Sequence, residues 1–150
     1  MQADRNAPVY GSGEIEVAAD PETVWGVLAD IGGWPSWNPD ITQATLAGPV
    51  RPGTTFRWKS GPGTITSTFQ VVEPPTELTW TGKTMGIPAV HVYRIRPSTE
   101  RPGHTVVSTE ESWGGLLARL LRKRFTAMLK TAIDTGLARL KAEAERRAGP

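Results

Sequence analysis

The stretch Glu110-Glu111-Ser112-Trp113-Gly114-Gly115-Leu116-Leu117-Ala118-Arg119-Leu120-Leu121 decides the fold, because the hydrophobic period changes inside it. Up to Trp113, residues 105–113 read as a strand, closing a series with period-two alternation. Beyond Gly115, Leu117, Leu121, Phe125, Met128, Ala132, Gly136 and Leu140 recur at steps of three or four, one stripe of a helix. Ala, Leu, Arg and Lys dominate there, and no Pro occurs before Pro150. The spacing predicts one helix from about Leu116 to about Arg146, roughly 45 Å long. Gly136 costs that helix about 0.8–1.0 kcal/mol relative to Ala, which close packing against the sheet or a ligand would explain.

Upstream, further strands are expected at Ile41–Ala47, Thr54–Lys59, Ile65–Val72, Glu77–Gly82 and Ala89–Arg96. Turn chemistry separates them: Gly48-Pro49, Arg51-Pro52-Gly53, Gly61-Pro62-Gly63, Pro74-Pro75 and Arg101-Pro102-Gly103. Short strands in unbroken succession imply antiparallel hairpins, since a parallel pair needs a long crossover. Glu14-Ile15-Glu16-Val17 alternates as a first strand, and Asp20-Pro21 reads as cap and first position of a short helix carrying Val24, Trp25 and Leu28. Asp30 offers a cap for a second short helix, which Gly32-Gly33 and Pro35 keep short. Residues 1–10 are expected to be a disordered lead-in.

One helix covers only a strip of a seven-stranded sheet, so the sheet must twist and curl around it. The expected architecture is α+β and of the helix-grip type: a curved antiparallel sheet around a long C-terminal helix, with two short helices after the first strand. A curled sheet cannot touch a straight rod everywhere, and the gap takes large side chains or a ligand. Alternation against Arg57 and Lys59 sends Phe56 and Trp58 inward. It likewise turns in Ile65, Phe69 and Val71, then Leu78 and Trp80, then Ala89, His91, Tyr93 and Ile95. On the last strand Val107, Thr109, Glu111 and Trp113 are assigned inward. These aromatics serve equally as core or as ligand wall, because pockets are lined with the same residue types. The expected ligand surface is Trp34, Trp37, Phe56, Trp58, Phe69 and Trp80, with His91, Tyr93 and Trp113. Phe125, Met128 and Ala132 face them from the helix.

The 150 residues fit a single domain spanning 1–150, and 38% hydrophobic with 21% charged residues is a globular composition. No apolar run approaches the ~20 residues of a membrane span, and no basic start followed by an apolar stretch marks a leader. With no Cys, disulfides and thiolate metal sites are excluded, and a cytoplasmic location is expected. Residues 115–147 hold nine Lys/Arg against three Asp/Glu within a chain of net charge +2. A basic helix on an acidic body is a solvated face or meets an anionic surface.

The segment Ile15-Glu16-Val17, Asp20-Pro21-Glu22-Thr23-Val24-Trp25, Asp30 and Trp34-Pro35-Ser36-Trp37-Asn38-Pro39 resembles the opening of the START-like superfamily. More closely, it resembles the polyketide cyclase/dehydrase and lipid-transport family. The stretch Val72-Glu73-Pro74-Pro75-Thr76-Glu77-Leu78-Thr79-Trp80-Thr81-Gly82 and the exit Glu110 to Leu116 fit the same pattern, so the resemblance spans about residues 13–145. It implies that the Trp34/Trp37 corner helps form one end of a cavity and that Gly114-Gly115 turns the last strand into the gripping helix. The superfamily includes carriers, cyclases, coenzyme-Q binders and chaperone activators, so fold does not settle function.

The catalytic inventory is short. His104 falls beside the Gly103 turn and is expected in solvent. His91 points inward, expected opposite about Thr109 with Glu111 diagonal to it. A His91, Tyr93 and Glu111 group is the candidate catalytic set, able to orient a carbonyl or move a proton; alternatively His91 bonds locally and fills space. Gly11-Ser12-Gly13 precedes no helix and is not a dinucleotide turn. No metal-ligand spacing occurs, and no cofactor is implied. Arg119, Arg122, Lys123 and Arg124, followed by Lys130, offer a transient anionic membrane contact. Nucleic acid is not expected, because no aromatic platform interleaves with these charges. The leading expectation is a binder of a hydrophobic small molecule, lipid or aromatic polyketide-like. A cyclase/dehydratase-type enzyme and a chaperone-activator-like interaction module are the alternatives.

Overall fold

The structure is a computed structural model that describes residues 1–149. Seven strands form one antiparallel sheet: β1 (Val9–Val17), β2 (Ile41–Leu46), β3 (Thr55–Ser60), β4 (Gly63–Glu73), β5 (Glu77–Thr84), β6 (Ile87–Pro97) and β7 (Thr105–Trp113). Their order across the sheet is β1-β7-β6-β5-β4-β3-β2, so β1 crosses over to pair with the last strand while all others join sequential neighbours. Two short helices follow β1. The first, α1 (Pro21–Ala29), is capped by Asp20, whose Oδ1 accepts from the Thr23 amide at 2.8 Å, with Pro21 at the first position. A single turn of 3-10 helix leads into α2 (Trp34–Trp37). The chain ends in α3 (Leu116–Leu120) and α4 (Arg122–Ala148). This is the expected α+β helix-grip arrangement.

Helix α4 lies along the concave side of β1 and against α1. Gly11 and Gly13 make that approach feasible. A Cβ on Gly11 would stand 3.1 Å from Ile133 Cδ1, and one on Gly13 would stand 2.9 Å from Ile133 Cγ2. The Gly-Ser-Gly stretch is therefore where the helix rests on the sheet. Lys130 and Lys141 reach past the free edge of β1 to the carbonyls of Ser12 and Glu16, covering acceptors that an edge strand leaves open.

Five expectations are corrected. Residues 1–10 are ordered: Val9 and Tyr10 open β1, Ala3 is buried, and residues 1–4 run as a strap over the convex face of β5–β7. The strap's contacts are to Glu77, Glu110 and Ser112, residues more than seventy positions away, which no local pattern reveals. The single terminal helix is broken at Leu121 (φ −108°, ψ 28°), where neither Gly nor Pro signals a stop. The buried stripe is Leu129, Ile133, Leu137, Leu140 and Ala144, shared with the expected stripe only at Leu140. Val71 does not point inward. A bulge between Phe69 and Val71 resets the alternation, so Val72 pairs with inward Leu78 while Val71 pairs with outward Thr79. Finally, nothing crowds Gly136: a Cβ added there meets no atom within 4 Å.

Candidate ligand site

The concave face has a closed end and an open end. At the closed end the rings of Trp34, Phe56, Phe69 and Trp80 lie centroid to centroid at 4.7–5.7 Å, two of the four contacts edge to face and two tilted, and all four rings are buried. The corner Trp34-Pro35-Ser36-Trp37 delivers Trp34 into this cluster and anchors its indole N–H on the Leu28 carbonyl at 2.9 Å. Trp58 meets Trp34 edge to face at 5.5 Å, hydrogen-bonds Ser67 Oγ at 3.1 Å, and keeps a half-buried outer edge. Trp37 is half-buried against the same core, its indole nitrogen sheltered from solvent and without a partner among the described residues.

The open end is built by β6 and β7. Their hairpin pairs Pro97 with Thr105, which leaves residues 98–104 as the turn. That moves the register: His91 lies directly opposite Glu111, and Tyr93 opposite Thr109, which corrects the diagonal arrangement read from the sequence. His91 Nδ1 approaches Glu111 Oε1 at 2.5 Å, and His91 Nε2 lies 3.0 Å from Thr109 Oγ1. The Trp113 indole donates to the other Glu111 oxygen. Tyr93 stacks on His91 at 4.7 Å, and Trp80 flanks both rings.

Thr109 Oγ1 in turn donates to the Val92 carbonyl at 2.9 Å. Burial alone would raise the Glu111 carboxyl. The His91 charge, its hydrogen bond and the Trp113 bond overcome that and hold the carboxyl below its ordinary range. Burial, and then the Glu111 charge, push the Tyr93 phenol well above its usual value, so it stays neutral.

Although inward-facing, the side chains of His91 and Glu111 keep 13% and 14% of their surface in solvent. Ala89, Tyr93 and Trp113 on the same face are half-buried. Across from them α4 offers Phe125, in edge contact with Trp113 at 5.6 Å, then Met128 and Ala132, both exposed. In helical projection this row sits on the arc beside the buried stripe, on the side away from the β1 edge that Lys130 and Lys141 cover. The empty space beside Gly136 continues it. Arg139 closes the far end by bridging to Asn38 and Asp40, both at 2.7 Å. Solvent thus reaches the inward-facing His91–Glu111 pair, among apolar neighbours. Two open depressions, of 450 and 360 Å³, lie on the convex side, the second beside the strap at Arg5, Tyr10 and Glu110. His104 sits half-buried at the β6–β7 turn, not free in solvent as expected. No group of three or more His, Cys, Asp or Glu arranged for a metal occurs among the described residues.

Residues 11–145 match the model of the family described as polyketide cyclase/dehydrase and lipid transport. No curated protein matches the chain. Among solved structures, a hypothetical protein from Helicobacter pylori superposes with a TM-score of 0.83 at 16% identity, over 93% of this chain and 90% of that one. A START superfamily protein from Mycobacterium smegmatis gives 0.67 at 18% identity, over 93% and 96%. The Zhui aromatase/cyclase from a Streptomyces species gives 0.70 at 18% identity, over 92% and 94%. At such identities the likeness is one of fold.

Proposed function

Because the chain belongs to the polyketide cyclase/dehydrase and lipid-transport family, we propose that it binds a hydrophobic small molecule in the cleft between the concave sheet and α4. The ligand class is a lipid or an aromatic polyketide-like compound. The observation that carries this reading is the solvent edge kept by inward-facing His91 and Glu111, at the middle of a sheet whose opposite face is shut. A cleft of this kind gains about 25 cal/mol for each Å² of apolar surface a ligand covers. Trp58, Trp113, Phe125 and Met128 supply that surface, and the His91–Glu111 pair orients a polar end of the ligand.

In this reading His91 is a fixed polar anchor: its Nε2 lies 3.0 Å from Thr109 Oγ1, itself tied to the Val92 carbonyl, and its Nδ1 faces Glu111. Tyr93, with its phenol raised, keeps its proton and serves as a stacking surface. The test is native mass spectrometry of the protein as purified from cells, followed by displacement with a fluorescent fatty acid and with an aromatic polyketide analogue. A mass increment lost on delipidation, and displacement weakened by Met128→Asp, support the reading. Failure of every apolar probe to bind overturns it.

A further inference from the structure

We propose that α3, the start of α4 and the β5–β6 turn form a tip that docks the protein on an anionic lipid bilayer. Helix α3 inverts the usual surface-helix pattern. Its one buried residue is Ala118, while Leu116 and Leu120 are 72% and 71% exposed, with Leu117 and Leu121 beside them also exposed. The chain thus turns its smallest apolar side chain inward and four leucines outward, against the hydrophobic effect unless something covers them. The turn between β5 and β6 adds a second element. Met85, 67% exposed, sits at its apex, and the Gly86 carbonyl lies 3.6 Å from where a Gly115 Cβ would stand. Two segments thirty residues apart therefore present apolar side chains at one end of the molecule.

Charge identifies the partner. No acidic residue occurs from 112 to 133. Arg119, Arg122, Lys123 and Arg124 form no ion pair among the described residues, whereas Lys130, Arg139, Lys141, Arg146 and Arg147 farther along all do. One half of the terminal region spends its cations on the fold and the other half leaves them free beside the leucines. A second copy docking through the same tip would set four cations against four, so self-association is disfavoured. An anionic bilayer satisfies both features: it takes up a projecting apolar cluster and attracts the basic ring around it. The tip also borders the open end of the cleft through Met128, but the docking stands whether or not the cleft holds a ligand.

The experiment is flotation of the full chain with phosphatidylcholine vesicles, with and without phosphatidylglycerol. Binding is expected only with phosphatidylglycerol, and it weakens as salt is added. Leu116→Ser with Leu120→Ser lowers partitioning by at least about tenfold. Arg122→Gln, Lys123→Gln and Arg124→Gln together lower it on the order of a hundredfold. Met85→Ser, on the other element, lowers it by about threefold. All these side chains are exposed, so circular dichroism stays that of the parent. Equal binding to neutral vesicles, no binding to anionic ones, or variants that bind like the parent each overturn the proposal. So does concentration-dependent self-association that the leucine variant abolishes while vesicle binding persists.

Discussion

On the convex side of β6 and β7, Val92, Glu110 and Ser112 lie under residues 1–4; on the concave side, one position along each strand, His91 and Glu111 keep an edge in water. The usual order, concave face shut and convex face wet, is reversed at the centre of this sheet. The convex side is closed by polar satisfaction. Glu110 accepts from the Ala3 amide at 3.0 Å, the Tyr10 hydroxyl at 2.8 Å and Arg94 at 3.4 Å, and Arg94 also donates to the Met1 carbonyl. The concave side is closed by aromatic packing at one end, and beyond that end α4 rests mainly on β1 and α1. The strap backs the strands whose other face carries the proposed site.

Substitutions can break this contrast, the aromatic end giving the largest effect. Phe69→Ala should cost about 3–5 kcal/mol of stability in urea denaturation, whereas Met128→Ala at the open end should stay within about 0.5 kcal/mol. A small loss at Phe69 would mean the closed end is not core. Glu110→Ala strands three donors, one of them Arg94, and should cost about 2–3 kcal/mol, with amide exchange at Ala3 and Asp4 rising to unprotected rates.

The same residue gives the strap a pH dependence. Burial would raise the Glu110 carboxyl, but the Ala3, Tyr10 and Arg94 contacts hold it below its ordinary range. Its contribution is therefore full above the ordinary carboxylate pKa of about 4.3 and is lost as pH falls through the lower folded value. The protection factor of the Ala3 amide against hydrogen exchange should fall on acidification in the parent and show no such step in Glu110→Gln.

Where the helix meets the sheet, Gly13→Ala should cost about 1–3 kcal/mol, because Ile133 and Leu137 must yield. Beside the cleft the sign reverses. Gly136→Ala meets no atom and should raise stability by about 0.8 kcal/mol in thermal melts. If Gly136→Ala destabilised, the space next to Ala132 would not be open.

The strands were legible because a period of two needs only neighbours. Thr55–Ser60 shows Phe56 and Trp58 against Arg57 and Lys59, and the inward set held until the bulge at Gln70 shifted Val71 outward. The candidate group His91, Tyr93 and Glu111 was named from that alternation, and the structure brings the three together. Their pairing was misread by one step because the register depends on the length of the 98–104 turn. Glu110 was passed over: its partners lie 16, 100 and 107 residues away, and the one signal was an acidic residue on the outward side of a strand.

Read alone, the sequence determined seven antiparallel strands, a capped helix after the first, and a helical tail, since each rests on local periodicity, turn residues or caps. Only the tertiary structure decided which stripe of the tail is buried, because Gly11 and Gly13 set where the helix touches. It also decided that residues 1–4 close the convex face and that the leucines of α3 face outward. Each of these is settled by segments far apart in the chain meeting in space, and no window of sequence carries that information.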